Sequence, residues 1–234
     1  MPEANALVII PTYNEKENIA LLIPAIFALP AHFHVLVVDD ASPDGTAQTV
    51  QALQQAHPQR LHLINRPTKQ GLGSAYIAGF KFALQRTYQY ILTMDADFSH
   101  APADLPRLYH ACQQNAQDLV IGSRYISGVN IVNWPMRRVL LSYSANVFAR
   151  CITGMPVQDL TAGFQCYRRT VLETLDLDTV QSVGYIFQVE MKFLAWQYGF
   201  ALQEVPIVFT NRIRGSSKMS QGILLEALRQ VLRL

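Results

Sequence analysis

Asp95 and Asp97, separated only by Ala96, directly follow the apolar run Tyr90-Ile91-Leu92-Thr93-Met94. Alternate residues on an extended segment point the same way, so both carboxylates can face one pocket. Two close carboxylates repel unless a cation lies between them, and a ligand set made only of oxygen suits Mg²⁺ or Mn²⁺. Mg²⁺ takes one or two protein carboxylates and fills its shell with water and substrate phosphates. An isolated Asp-x-Asp is as readily a solvated turn, so a second acidic group matters. Asp39-Asp40 ends the run Val35-Leu36-Val37-Val38, where a carboxylate can accept hydrogen bonds from a base or a ribose. Ser42-Pro43-Asp44-Gly45 behind it is turn chemistry. Acidic groups at two neighbouring strand ends point to a site for a nucleotide and a metal ion.

Other motifs are weaker. Gly71-Leu72-Gly73-Ser74-Ala75-Tyr76 lacks the third glycine of a dinucleotide fingerprint and follows the third strand signal rather than the first, which excludes an NAD site. Its glycines permit a tight turn into a helix close to a ligand. His32, His34, His57, His62 and His110 show no ligand spacing. His100 lies close behind the acidic pair and receives no role. A glycoside hydrolase needs two carboxylates in different environments about 5 to 9.5 Å apart, an asymmetry that a pair sharing one ion does not supply.

These residues need a scaffold that ends several strands together. Leu7–Ile10, Val35–Val38, Leu61–Ile64, Tyr90–Met94 and Leu119–Ile121 read as buried strands. Helical patterns at Glu15–Leu29, Asp44–His57, Gly73–Thr87 and Ala103–Asn115 alternate with them, and Ser42 or Asp44 can cap the second. That alternation predicts an α/β fold with a mostly parallel sheet flanked by helices, and ligands at the carboxyl ends of its strands. Further on, Met136–Ile152 and Tyr185–Tyr198 read as helices, Leu202–Phe209 as a strand, and Gly222–Leu234 as an amphipathic helix. No linker, repeat or boundary divides residues 1–234, which read as a single catalytic domain with that helix at its end.

Half of the 234 residues are apolar and 15% are charged, which describes a folded, apolar globule. A net charge of +2 is too weak to argue for DNA or RNA, and no nucleic-acid partner is expected. Three cysteines without a CxxC pair read as reduced thiols. A strand signal by Leu7 leaves no room for a signal peptide, and Pro24 and Pro30 interrupt the longest apolar stretch, so a soluble protein is expected.

The chain also carries an ordered motif set. Pro11-Thr12-Tyr13-Asn14-Glu15 and Val38-Asp39-Asp40-Ala41-Ser42-Pro43-Asp44-Gly45-Thr46 resemble the nucleotide-binding face of family 2 glycosyltransferases. Lys69 to Tyr76, Met94 to His100, Gly122-Ser123-Arg124-Tyr125, Asp159 to Phe164 and Gly184 to Glu190 narrow the resemblance to the polyprenyl-phosphate (dolichyl-phosphate) mannose synthases. It covers about residues 6 to 220. The resemblance implies a GT-A fold and inverting transfer of mannose from GDP-mannose to a lipid phosphate. By motif match, Pro11, Tyr13, Glu15, Val38 and Asp40 would hold the nucleotide, and Asp95, Ala96 and Asp97 the sugar diphosphate with its metal ion. Ser99 stands where some relatives place a third metal ligand, usually Gln. Arg124 and Arg138 would grip the acceptor phosphate, and Arg212 and Lys218 would close over the diphosphate. Ala162 replaces a commoner Gly or Ser, and Asn211 a commoner Asp.

A phosphate acceptor, already carrying about −1.5 to −2 charge, needs positive charge rather than a general base, and arginine suits phosphate bidentately. A lipid acceptor must be met at a membrane. Leu224, Leu225, Leu228, Val231 and Leu232 share one helical face, and Met136-Arg137-Arg138-Val139-Leu140-Leu141 is apolar with a basic start. Either can be a membrane contact or a core-packed helix. The expectation is a cytoplasmic enzyme peripherally bound to a membrane face, with room for an anchoring subunit. The alternatives are a UDP-sugar-dependent transferase (glucose, aminoarabinose or N-acetylhexosamine) and an inactive nucleotide or lipid binder.

Overall fold

A computed structural model describes residues 5–114, 117–180, 182, 184, 186–212 and 214. Five strands appear where the apolar runs predict them: β1 (Ala6–Thr12), β2 (His34–Asp39), β3 (Leu61–Asn65), β4 (Tyr90–Thr93) and β5 (Leu119–Ser123). Between them run α1 (Lys16–Phe27), α2 (Thr46–Ala56), α3 (Leu72–Leu84) and α4 (Leu105–Gln114). Leu7, Val8, Ile9 and Ile10 of β1 are wholly buried, because helices cover both faces of the sheet. Leu7 and Ile9 pack into one core with Tyr76 and Phe80 of α3, and Val8 and Ile10 into another with Ile19, Leu22 and Ile26 of α1. The first half of the chain therefore forms the alternation read from its sequence.

The second half holds the helices expected over Met136–Ile152 and Tyr185–Tyr198 and adds strands at Ile131–Val132 and Gln165–Arg168 and a helix at Arg169–Thr174, which the sequence reading did not contain. After the two-residue β6 (Ile131–Val132) and the long α5 (Met136–Thr153) comes β7 (Gln165–Arg168), which enters the sheet antiparallel between β4 and β5. The sheet order is β3-β2-β1-β4-β7-β5-β8, with all other neighbours parallel. α6 (Arg169–Thr174) and α7 (Ile186–Gln197) follow. The strand expected over Leu202–Phe209 is two: β8 (Leu202–Pro206) on the main sheet, and β9 (Phe209–Thr210), which pairs with β6. Ile207 and Val208 separate them. No helix among the described residues is long and apolar enough to cross a membrane.

Two local expectations change. The N-cap of α2 is Gly45, left-handed at φ 90°, rather than Ser42 or Asp44. Asp44 still accepts the Thr46 N–H at 3.0 Å, while Ser42 Oγ accepts from Asn14 N–H at 2.9 Å. Gly71, at φ 95°, permits the turn into α3 as expected. A Cβ at Gly73, however, would sit 2.8 Å from the Ser182 carbonyl oxygen, so that glycine serves close packing within the protein. Cys112, Cys151 and Cys166 are all free thiols.

Candidate active site

The acidic pair sits where β4 stops. Asp97 is buried, and its Oδ1 accepts the Ser99 N–H at 3.0 Å. That contact fixes a turn in which Phe98 takes a left-handed φ of 59°. Thr210 of β9 then donates its N–H to the Ser99 carbonyl oxygen at 3.1 Å, and Asn211 N–H to the Val132 carbonyl oxygen at 3.0 Å. The small β6–β9 sheet thereby brings Arg212 to Asp97, Nη2 to Oδ2 at 2.7 Å. Asp95 keeps 37% of its side chain open to the cleft. Its carboxyl is pushed up to about 7, first by desolvation and then by Asp97, against the pull of Arg212 and Arg124. Glu15 raises it further, so the nucleotide-side carboxylate acts on the same point.

That excess of negative charge is what a divalent cation would relieve. The donor set, two carboxylates, is oxygen only and fits Mg²⁺ or Mn²⁺. Among the described residues no group of three acidic, histidine or cysteine side chains could hold a metal, so the remaining ligands would come from water and a diphosphate. Because a cation must displace the proton on Asp95, Mn²⁺ affinity should fall roughly tenfold per pH unit below about 7. Titrating Mn²⁺ by calorimetry between pH 5.5 and 8 checks this; a flat profile would rule out Asp95 as a ligand.

His100 faces the pair from below. It stacks on Phe164 at 4.9 Å and meets the Phe209 edge at 5.2 Å, and burial pulls its pKa down to about 4. It is a neutral imidazole that accepts the Asp95 N–H at 3.4 Å.

Arg124, just past β5, is buried against Asp159. Nε donates to Oδ2 at 2.7 Å and Nη2 to Oδ1 at 2.6 Å, while Nη2 also reaches Thr161 Oγ1 at 2.7 Å. Burial alone would raise the Asp159 carboxyl, but the Arg124 charge and hydrogen bonds outweigh it and hold it below the usual range. Asp159 N–H is in turn accepted by Glu204 of β8 at 2.9 Å. The rings of Tyr125 and Phe209 lie 5.4 Å from the guanidinium and that of Trp134 5.9 Å. Arg138, in the first turn of α5, stacks on Trp134 at 3.8 Å and donates to Asn211 Oδ1 at 3.2 Å. The Asn at 211 therefore ties the loop carrying Arg212 to α5.

Asp95, Asp97, Ser99, Arg124, Arg138 and Arg212 all line one cavity of about 650 Å³. Its remaining wall is largely apolar, with Leu141, Phe148, Ile186, Val189 and Ile207. The nucleotide-side residues lie along the neighbouring strand ends and do not line it. Lys69 Nζ sits 4.0 Å over the Tyr13 ring, and Glu15 is buried with its Oε2 accepting from Asn18 at 2.7 Å. Pro11 pairs with Val38 across β1 and β2. Val38 is wholly buried in the core and offers no side chain to the cleft. Asp39 is committed inward, accepting from Thr12 and Ser42. Asp40 pairs with Arg66 and accepts the Gly71 N–H at 3.0 Å, so it shapes the loop before α3. Lys218 and the helix expected over 222–234 lie outside the described residues.

Sequence reasoning placed Gln188 in the Gly184 to Glu190 motif without a role and missed Lys192 altogether. Lys192 is wholly buried and donates to the carbonyl oxygens of Leu160, Ala162 and Gln188 at 2.7 to 3.1 Å. Three acceptors match an ammonium, although burial draws its pKa down to about 7. It holds the Asp159–Gly163 turn from beneath. The signal was Gln188 and Lys192, four apart on one face of a helix that is apolar apart from Glu190 and Gln197.

Residues 7–176 match the Glycosyl transferase family 2 model. The chain belongs to glycosyltransferase family 2. It is 48% identical over 230 residues to the polyprenol monophosphomannose synthase of Mycolicibacterium smegmatis, covering 98% of this chain and 86% of that one. To the undecaprenyl-phosphate mannosyltransferase of Micrococcus luteus this transferase is 45% identical over 227 residues, covering 97% and 92%. Its fold matches glucosyl-3-phosphoglycerate synthase from Mycobacterium tuberculosis, solved with Mn²⁺ and UDP, at a TM-score of 0.67, 18% identity and coverage of 98% and 78%. A mannosyltransferase from Pyrobaculum calidifontis, solved with GDP-Man and Mn²⁺, matches at 0.60, 18% identity and coverage of 91% and 58%. The transferase therefore has the α/β GT-A architecture expected from its sequence.

Proposed function

We propose that this transferase moves mannose from GDP-mannose to a polyprenyl phosphate at a membrane surface, with inversion. The observation that carries it is the one cavity in which the acidic pair, three arginines and an apolar wall meet. The names of the relatives sharing 45% and 48% identity agree with it.

Each part has a task in that reaction. The leaving diphosphate gains negative charge, which a Mg²⁺ or Mn²⁺ ion held by Asp95 and Asp97 would offset. Arg212 stands beside Asp97 and can shift to the diphosphate, and Lys218 is assigned the same task. Arg124 arrives with one edge of its guanidinium clamped by Asp159, leaving Nη1 for an acceptor phosphate oxygen. Arg138 supplies a second cation from α5. The ionised acceptor attacks without a general base, and the neutral, enclosed His100 is not asked to be one. Leu141, Phe148 and Val189 suit the first isoprene units. Incubating the protein with Mn²⁺, labelled GDP-mannose and a polyprenyl phosphate should yield an acid-labile mannolipid, and GDP should stabilise it more than UDP. No product with GDP-mannose, or a product only with a UDP-sugar, would overturn the reading.

The membrane contact is assigned to the outer face of α5. Met136 is 70% and Leu140 59% exposed beside Arg137, an apolar patch with a basic neighbour near the mouth of the cavity. A large apolar side chain is worth about 1.5–3 kcal/mol when fully buried. Met136→Asp with Leu140→Asp should therefore lower flotation with anionic vesicles about tenfold or more and spare turnover of a short-chain, soluble acceptor phosphate. Unchanged flotation would remove α5 from the interface.

A further inference from the structure

Gln188 of α7 lines the same cavity and is 2% exposed, yet no motif role accounts for it. Its amide is held in one orientation by a relay beneath it. Tyr167 OH donates to Gln165 Oε1 at 2.5 Å, and Gln165 Nε2 donates to the Ala162 carbonyl oxygen at 2.8 Å. Those two contacts leave Gln165 no choice but to present Nε2 to Gln188, whose Oε1 accepts at 2.5 Å. The Gln188 NH₂ group is thereby turned outward, and it has no acceptor among the described residues. The residue is buried but this nitrogen opens onto the cavity, where a ligand oxygen can accept from it.

Its surroundings say what kind. A Cβ at Gly163 would lie 3.4 Å from Gln188 Nε2 and 3.8 Å from Asp95 Oδ1, so the glycine opens a floor between a neutral donor and a carboxylate. An ionised phosphate oxygen suits the amide but has no proton to donate to Asp95. A hydroxyl satisfies both, accepting from Nε2 and donating to Oδ1. We propose that Gln188 is a donor-sugar contact, its amide and Asp95 together holding one sugar hydroxyl on the Gly163 floor.

This rests on the cleft taking a nucleotide sugar. Gln188→Met and Gln188→Leu both remove the donor without adding charge beside Asp95. Binding of GDP and of GDP-mannose is measured by calorimetry with Mn²⁺, beside turnover. Both variants should weaken GDP-mannose roughly 5- to 100-fold and leave GDP within about twofold, since GDP carries no sugar. Equal weakening of both ligands means a purely structural role and overturns the proposal, as does an unchanged GDP-mannose affinity. If one variant does not fold, the other is read by the same ratio. A wild-type protein that makes no mannolipid sinks the functional reading itself, whereas active wild type with an unchanged ratio sinks only the role of Gln188.

Discussion

Asp95→Asn should abolish most turnover while making the metal-free protein more stable. Loss of one group that stabilises developing charge costs about 10²- to 10³-fold in rate, and this one would act through the cation as well. The stability sign follows from proton linkage. Asp95 has its folded pKa raised to about 7, above an unfolded value of about 3.9. The folded protein therefore holds the proton more tightly, and stability is lost as pH rises from about 4 through 7. At pH 8 the asparagine removes that cost. With a third of the side chain open to the cleft, the gain should be about 1 kcal/mol, or roughly 2–4 °C in Tm. At pH 4 the gain should vanish. Asp97→Asn should lose as much activity without the gain, because Asp97 already has Arg212 as its partner. An active Asp95→Asn protein, or one less stable at pH 8, would show that the carboxylate is structural.

The second large effect belongs to Arg124. Removing it as Arg124→Met strands Asp159, which is wholly buried, without its counter-charge. Breaking such a pair costs about 3–5 kcal/mol, a fall in Tm of roughly 6–20 °C. The acid response should reverse as well. With Arg124 in place the depressed Asp159 pKa gives stability above its unfolded value of about 3.9, lost as pH falls. Without Arg124, burial raises that pKa, and the variant should gain stability as pH falls toward 4. Adding Asp159→Asn should restore much of the stability but not turnover, because the guanidinium that faces the acceptor is still missing. Recovered turnover in the double variant would show Arg124 to be scaffold alone.

The donor half of this arrangement could be read from the chain because its strands are buried on both faces. Val35–Val38 is an unbroken apolar run and Tyr90–Met94 is interrupted only by Thr93, and the residues after them must stand at the sheet edge. On the acceptor side only motif resemblance named Arg124 and Arg138, and β7, the strand beside β5, gave no signal of its own. β7 reads Gln165-Cys166-Tyr167-Arg168, with neither an apolar run nor a clean alternation, and it is a strand because β4 and β5 leave a slot for it. Gln165 is wholly buried there because Tyr167, Ala162 and Gln188 meet its amide, and Gln188 lies 23 residues further along the chain. Asp39 and Asp40 show the opposite case. Their position was legible, but not that protein groups already engage both carboxylates. A turn motif names the residues that reach a strand end and leaves open which of them face the ligand.

The whole account depends on Asp95 and Asp97 presenting a divalent cation to the donor's diphosphate. Titrating GDP-mannose into the chelator-treated protein, with and without Mn²⁺, tests that dependence directly. Binding should appear only with the metal in the wild type and should be lost in Asp95→Asn and Asp97→Asn even with Mn²⁺ present. Equal affinity with and without the ion, or in the variants, would contradict it.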